Sequence, residues 1–222
     1  MSALPLTAKT LDSSVSKAKY WGQSLKTEPI TSSIKIATPS DQDDAIAALI
    51  LAFSADPAVR WMYPNPHQYL TYFPQFVRAF GGRAFEQGTA YCIDGYTGVA
   101  LWFPPECEPD ELNVVELLQR SIPNSHQADV FAVFKQMEHY HPSEPHWYLP
   151  LMGVEPTRQG KGYGSALLEH VLTQCDRDRT IAYLESSNPT NLALYKRHGF
   201  ELLSTIQVGT SPPIFPMLRK PH

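Results

Sequence analysis

The apolar positions of this chain alternate between a period of two and a period near 3.6, the pattern of strands interleaved with helices. Ile34 and Ile36 suit a short strand, and Thr38-Pro39-Ser40-Asp41 punctuates the passage into a helix. Ser40 or Asp41 can cap that helix, which carries Ile46, Leu49, Ile50 and Phe53 on one face. Between Tyr69 and Phe85 the aromatics Tyr69, Tyr72, Phe73, Phe76 and Phe80 recur at helical spacing. Thr89 to Ile93 and Gly98 to Phe103 read as two strands joined by a turn, and Pro104-Pro105 stops the second. Asp110 to Ser121 and His126 to Tyr140 are helical in period. Trp147 to Val154 is a buried-type strand, followed by a glycine-rich loop and a helix with Leu167, Leu168, Val171, Leu172 and Cys175 inward. Thr180 to Glu185 reads as a strand and Pro189 to His198 as a helix, and two strands close the chain. The order predicts a mixed α/β domain over 34–222.

Residues 1–33 lack that periodicity. Rich in Ser, Thr and Lys, they are expected to form a partly ordered extension, with Tyr20, Trp21 and Leu25 available to dock on the domain. No apolar core follows a basic start and no Arg is present, so neither a secretory nor a mitochondrial leader is expected there.

Composition narrows the function. Of 222 residues, 43% are hydrophobic and 18% charged, which supports a packed core. A formal net charge of -4 argues against a nucleic-acid partner, which needs a local excess of Lys and Arg. No long uncharged apolar run is present, so no membrane span is expected. Cys92, Cys107 and Cys175 are widely spaced, odd in number and without C-x-x-C, which points to a reducing, cytoplasmic setting rather than a disulfide framework. The run Glu138, His139, His141, Glu144, His146 has no common metal spacing and is broken by Pro142 and Pro145, so no metal is expected.

The chemistry concentrates between Val154 and Ser165. A strand runs into Gln159-Gly160-Lys161-Gly162-Tyr163-Gly164-Ser165, and a helix begins within it. Glycines there allow close backbone approach, and the first N–H groups of the helix suit an anion such as a pyrophosphate. A Walker loop fails twice, because Glu155 and Gly162 stand where Gly and Ser/Thr are needed. A dinucleotide fingerprint fails on glycine spacing and on its late position. Further on, Asn188 before Pro189 is a helix start, Gly199 a helix stop, and Asn191 and Tyr195 share one helical face.

Together, Gln159, Gly162 and Gly164, then Asn191, Tyr195, Gly199 and Phe200, resemble the two ordered signatures of the GNAT superfamily of acetyl-CoA-dependent N-acetyltransferases. The run Leu184-Glu185-Ser186-Ser187-Asn188-Pro189 is most similar to the branch around puromycin N-acetyltransferase. The strong resemblance covers about 147–200. It implies a GNAT-like α/β fold, a central twisted mixed sheet of about seven strands flanked by helices, whose central strands splay to form the acyl-CoA cleft. It implies acetyl-CoA as cosubstrate, paired by the backbone of Met152, Gly153 and Val154 and held at Gln159 to Ser165, with Asn191 and Tyr195 beside it. Tyr195 is then the general acid for the leaving thiolate, and Glu185 the base, with His146 the runner-up. The expected reaction moves an acetyl group to a primary amine, with a small molecule favoured over a protein or peptide. Longer acyl donors, O-acetylation and a silent acyl-CoA sensor are the rivals, and a homodimer is left open. The aromatics Trp61, Tyr63, Phe76, Trp102 and Phe103 fall in the half that shapes the acceptor site. The acidic stretch Glu106 to Glu116 reads as a solvated face that can also attract a protonated amine.

Overall fold

The computed structural model describes residues 33–222, so the extension expected over 1–33, apart from Ser33, lies outside the described residues. Seven strands form one mixed sheet: β1 (Ile34–Ile36), β2 (Ala90–Ile93), β3 (Gly98–Phe103), β4 (His146–Val154), β5 (Ile181–Ser186), β6 (Glu201–Leu202) and β7 (Phe215–Arg219). Their order is β1-β2-β3-β4-β5-β7-β6. Every neighbouring pair is antiparallel except β4 and β5. That parallel step requires a crossover, which α7 (Tyr163–Arg177) supplies.

Helices cover both faces. On one lie α1 (Gln42–Ala52), α2 (Pro57–Met62), α3 (Pro66–Gly81), α4 (Arg83–Glu86), α5 (Glu111–Ser121) and α6 (Asn124–Tyr140). The other face carries α7 and α8 (Leu192–Arg197). All six residues of β3 are buried, with Val99, Leu101 and Phe103 facing the first layer and Ala100 and Trp102 the second. Burial on both sides is why this strand reads as an unbroken apolar run.

Local details depart from expectation in three places. Thr38 caps a short 3₁₀ turn ahead of α1, and Asp41, one of the two expected caps, holds the N-cap position of α1 without a side-chain cap bond. The Thr38 N–H and hydroxyl donate to Asp41 Oδ2 at 2.7 and 2.6 Å, and Pro39 starts the turn. The aromatic helix expected through Phe85 is interrupted at Gly82, which separates α3 from α4. Helix α2 is additional, and Asp56 caps it by accepting from the N–H groups of Ala58 and Val59, both at 3.0 Å.

The feature that positions the site lies at the centre of the sheet. Strands β4 and β5 pair from His146–Ile181 to Leu149–Leu184 and then part, while β4 runs on to Val154. On its other edge β4 stays with β3, but Leu101 pairs Leu151 whereas Phe103 pairs Tyr148. Two residues of β4, Leu149 and Pro150, therefore oppose Trp102 alone, a bulge that bends the strand. Pro150 has no N–H to give a ladder, so a bulge is a position that tolerates it. The expected splay is present, and it begins at this proline.

Candidate active site

A cavity of about 110 Å³, opening to solvent, occupies the place where β4 leaves β5. Residues from both faces of the sheet line it, because the parted strands no longer separate the two layers. From the α8 side come Leu149, Leu184, Asn191 and Tyr195; from the other side come Trp61, Phe76, Phe80 and Phe134. Glu185, Ser186, Ser187 and Met152 lie along the parted strands themselves.

Tyr195 projects from α8, and the helix expected from Pro189 opens as a 3₁₀ turn over Pro189–Asn191 before α8 proper begins at Leu192. Asn188 Oδ1 accepts from the Thr190 N–H at 3.0 Å, Pro189 follows, and Gly199 ends the helix at a φ of 85°. The phenol is buried, and burial together with the nearby Asp56 carboxylate pushes its pKa up. It is therefore protonated at neutral pH and has a proton to donate. Asp56 is a site residue that sequence reading missed. Its Oδ2 accepts from Ser187 Oγ at 2.6 Å, and burial pushes its carboxyl up. The Asp56-Pro57 pair, a cap followed by a first-turn proline, was the available signal.

Glu185 enters from the opposite face. Its side chain is only 3% exposed, yet the residue as a whole is half-buried, so its backbone is the open part. Oε1 lies 3.0 Å from His141 Nε2. That approach is within ion-pair distance but is not an aligned hydrogen bond, and the Tyr148 and Tyr183 phenols lie against the same carboxylate. The acid and base candidates thus face one another across the gap between the strands. His146, the alternative base, directs Nδ1 to the Glu144 carbonyl at 2.8 Å, and burial pushes its pKa down.

The glycine-rich loop stands apart from the cavity lining. Residues 156–162 are exposed, Gly160 and Gly162 adopt φ values of 73° and 92°, and α7 starts directly after Gly162. The helical ladder begins at Ala166, which donates to the Gly162 carbonyl at 3.0 Å. A Cβ at Gly160 would meet nothing within 4 Å, whereas one at Gly164 would press on Leu194 of α8 at 3.3 Å. The loop is thus an open cradle at a helix start, suited to an anion, with Lys161 and Ser165 in it. Gln159 Nε2 donates back to the Val154 carbonyl at 3.1 Å, and the Tyr163 hydroxyl donates to Asp94 at 2.9 Å, so both brace the loop. Gly153 is needed for packing: a Cβ there would sit 2.5 Å from Ala52 of α1.

Residues 127–202 match the family model of the acetyltransferase (GNAT) domain. Over this third of the chain the sequence is similar to GNAT acetyltransferases. The matched span includes β4, the loop, α7, β5 and α8. An uncharacterised N-acetyltransferase of Schizosaccharomyces pombe is 24% identical over 207 residues, covering 82% of this chain and 81% of its own. The solved structure of a histone acetyltransferase HPA2 and related acetyltransferase from Corynebacterium glutamicum has a TM-score of 0.60 and 24% identity, over 86% of this chain and 97% of that one. Arylalkylamine N-acetyltransferase 2 from Aedes aegypti has a TM-score of 0.61 at 13% identity, over 86% and 100%. These structures share the fold of this chain.

The acceptor-side aromatics divide. Trp61 and Phe76 line the cavity, but Tyr63, Trp102 and Phe103 are wholly buried in the core and cannot touch a substrate. Among the described residues no helix is long and apolar enough to cross a membrane. None of their His, Cys, Asp and Glu side chains forms a group of three or more that could hold a metal ion.

Proposed function

We propose that the protein transfers an acetyl group from acetyl-CoA to the primary amine of a small molecule with an apolar body. One observation carries the reading: the cavity at the strand gap receives Tyr195 from one face and Glu185 from the other. Acetyl-CoA supplies the activated acyl group. Beyond Leu149 the β5-facing edge of β4 is unpaired, and Met152, Gly153 and Val154 offer backbone groups there to an extended, amide-bearing arm. The cradle of Gln159 to Ser165 suits the pyrophosphate, with Asn191 beside the arm.

Glu185 takes a proton from the substrate ammonium, so that the amine is neutral when it attacks. Tyr195 donates to the departing thiolate. A β4 N–H at the gap polarises the thioester carbonyl. Similarity of the run 184–192 to the puromycin N-acetyltransferase branch supports an amino group on a small molecule, without carrying that antibiotic over.

The acceptor wall supports the same reading. Trp61, Met62, Phe76, Phe80, Phe134 and Met137 surround the cavity, and Glu185 is its one ionisable carboxylate. A monoamine on an aromatic or alkyl body matches such a wall, whereas a polyamine or aminoglycoside would bring charges with no partner. An arylalkylamine acetyltransferase among the structural neighbours agrees with this preference. The test is a side-by-side screen of arylalkylamines, alkylamines, polyamines, aminoglycosides and peptides, reading released CoA. Turnover should be greatest with aromatic and alkyl monoamines. Turnover confined to peptides would make the protein a peptide acetyltransferase, and none with any acceptor would favour an acyl-CoA sensor.

A further inference from the structure

A base buried as deeply as Glu185 needs a route by which its proton can leave. With a side chain 3% exposed, the protonated carboxyl cannot pass its proton directly to bulk water. The cavity side is occupied by substrate when the proton is taken. The remaining side is closed by rings from α6, β4 and β5, and only one of them bridges carboxylate and solvent.

That ring is His141, the residue that ends α6 before Pro142. Its Nε2 is 3.0 Å from Glu185 Oε1, while its side chain is 29% exposed. Tyr148 and Tyr183 pack on it at 4.6 Å each, and His146 at 5.7 Å, so its position is fixed by three rings. The two phenols cannot serve in its place: Tyr148 and Tyr183 are 3% and 0% exposed, so neither carries a proton on to solvent. His146 is engaged with the Glu144 carbonyl and is not within ion-pair distance of Glu185.

We propose that His141 is the proton exit of this site, relaying to solvent the proton that Glu185 removes from the substrate ammonium. The ammonium N–H bond breaks and its proton joins the Glu185 carboxylate. Glu185 then passes the proton to His141 Nε2, and the imidazolium gives up a proton to water at its exposed edge. Solvent exchange resets the tautomer. One proton leaves per amine deprotonated, and nothing is oxidised or reduced. His141 acts through Glu185 and touches neither substrate nor coenzyme. It rests on the reading of Glu185 as the base.

The experiment compares wild type, His141→Ala, His141→Gln and Glu185→Gln with the best amine of the screen, with and without added imidazole. Turnover of both His141 variants should fall about 10- to 100-fold, at the lower end of proton-transfer effects, with KM for acetyl-CoA unchanged. Imidazole should enter the space vacated in His141→Ala and restore turnover, while Glu185→Gln should lose activity and stay indifferent to it. Wild-type turnover in His141→Gln, or a loss in folded His141→Ala that imidazole leaves untouched, overturns the relay alone. Wild-type turnover in Glu185→Gln removes the base and the relay with it. No turnover by the wild type with any amine overturns the transfer reading and the relay together. If His141→Ala does not fold, His141→Gln decides: a loss in kcat that eases as small-buffer concentration rises supports the relay, and a buffer-independent loss overturns it.

Discussion

The Tyr195 hydroxyl is buried at the strand gap with the Asp56 carboxylate nearby, and both influences hold its proton in place. Removing only that hydroxyl, in Tyr195→Phe, should leave acetyl-CoA affinity nearly unchanged and lower turnover by roughly 10²–10⁴. Equal single-turnover rates in the two proteins would return Tyr195 to a packing role. Because its pKa is raised, Tyr195 should contribute no loss of activity between pH 7 and pH 9. At this scale the sequence was informative wherever a motif fixed the spacing, as with Asn191 and Tyr195 four apart on α8. It was silent on long-range partners. Nothing near His141 announces that Glu185 will lie against it, because their approach depends on where α6 ends relative to β5. Nor could aromatic content alone separate Trp61, which reaches the cavity, from Tyr63 two residues later, which the core encloses.

Elements were more legible than their ends. Continuous apolar runs gave β3 and β4 because both faces of those strands are covered, and the Asn188-Pro189 start and Gly199 stop bracketed α8. Helix α2 escaped because six residues carry too little periodicity, although Asp56-Pro57 marked its start. The loop before α7 yields a test at this scale. Gly162 sits at a φ of 92°, where any L side chain costs about 1–2 kcal/mol. In Gly162→Glu a carboxylate would also compete for the anion position at the head of α7. Calorimetry should show acetyl-CoA affinity reduced by at least about tenfold, equivalent to about 1.4 kcal/mol. Undiminished affinity in a folded variant would move the pyrophosphate away from this loop.

At the scale of the whole molecule, the C-terminal strand is fastened by a charge pair. Arg219 of β7 is 5% exposed and donates from two nitrogens to Asp176 at 2.8 Å each, and from Nε to the His198 carbonyl. Hydrogen bonds from Arg219 pull the Asp176 carboxyl down to about 2. A carboxyl depressed on folding stabilises the fold above its unfolded value, near pH 4, and that contribution is lost as pH falls toward 2. Asp176→Asn should remove that acid-dependent component and leave Arg219 buried without a counter-charge, at a cost of about 3 kcal/mol. Urea melts across pH 2 to 7 would measure both, and parallel pH dependence in the two proteins would show that the pair contributes little. The same scale gives the parted sheet its meaning. Strands β1–β4 form one leaf and β5–β7 another, joined by only four residue pairs. Helix α7 spans the seam on one face, and Ser187–Asp56, Trp61–Thr210 and Tyr140–Ser204 stitch it on the other. A seam fastened on both faces holds the two leaves in a fixed relation. An acyl-CoA arm threading the gap, as proposed, would meet main-chain atoms of β4, which mutation leaves in place, whereas an acceptor would meet cavity side chains from both halves of the chain. Substitutions in the cavity wall should therefore change the acceptor more readily than the donor.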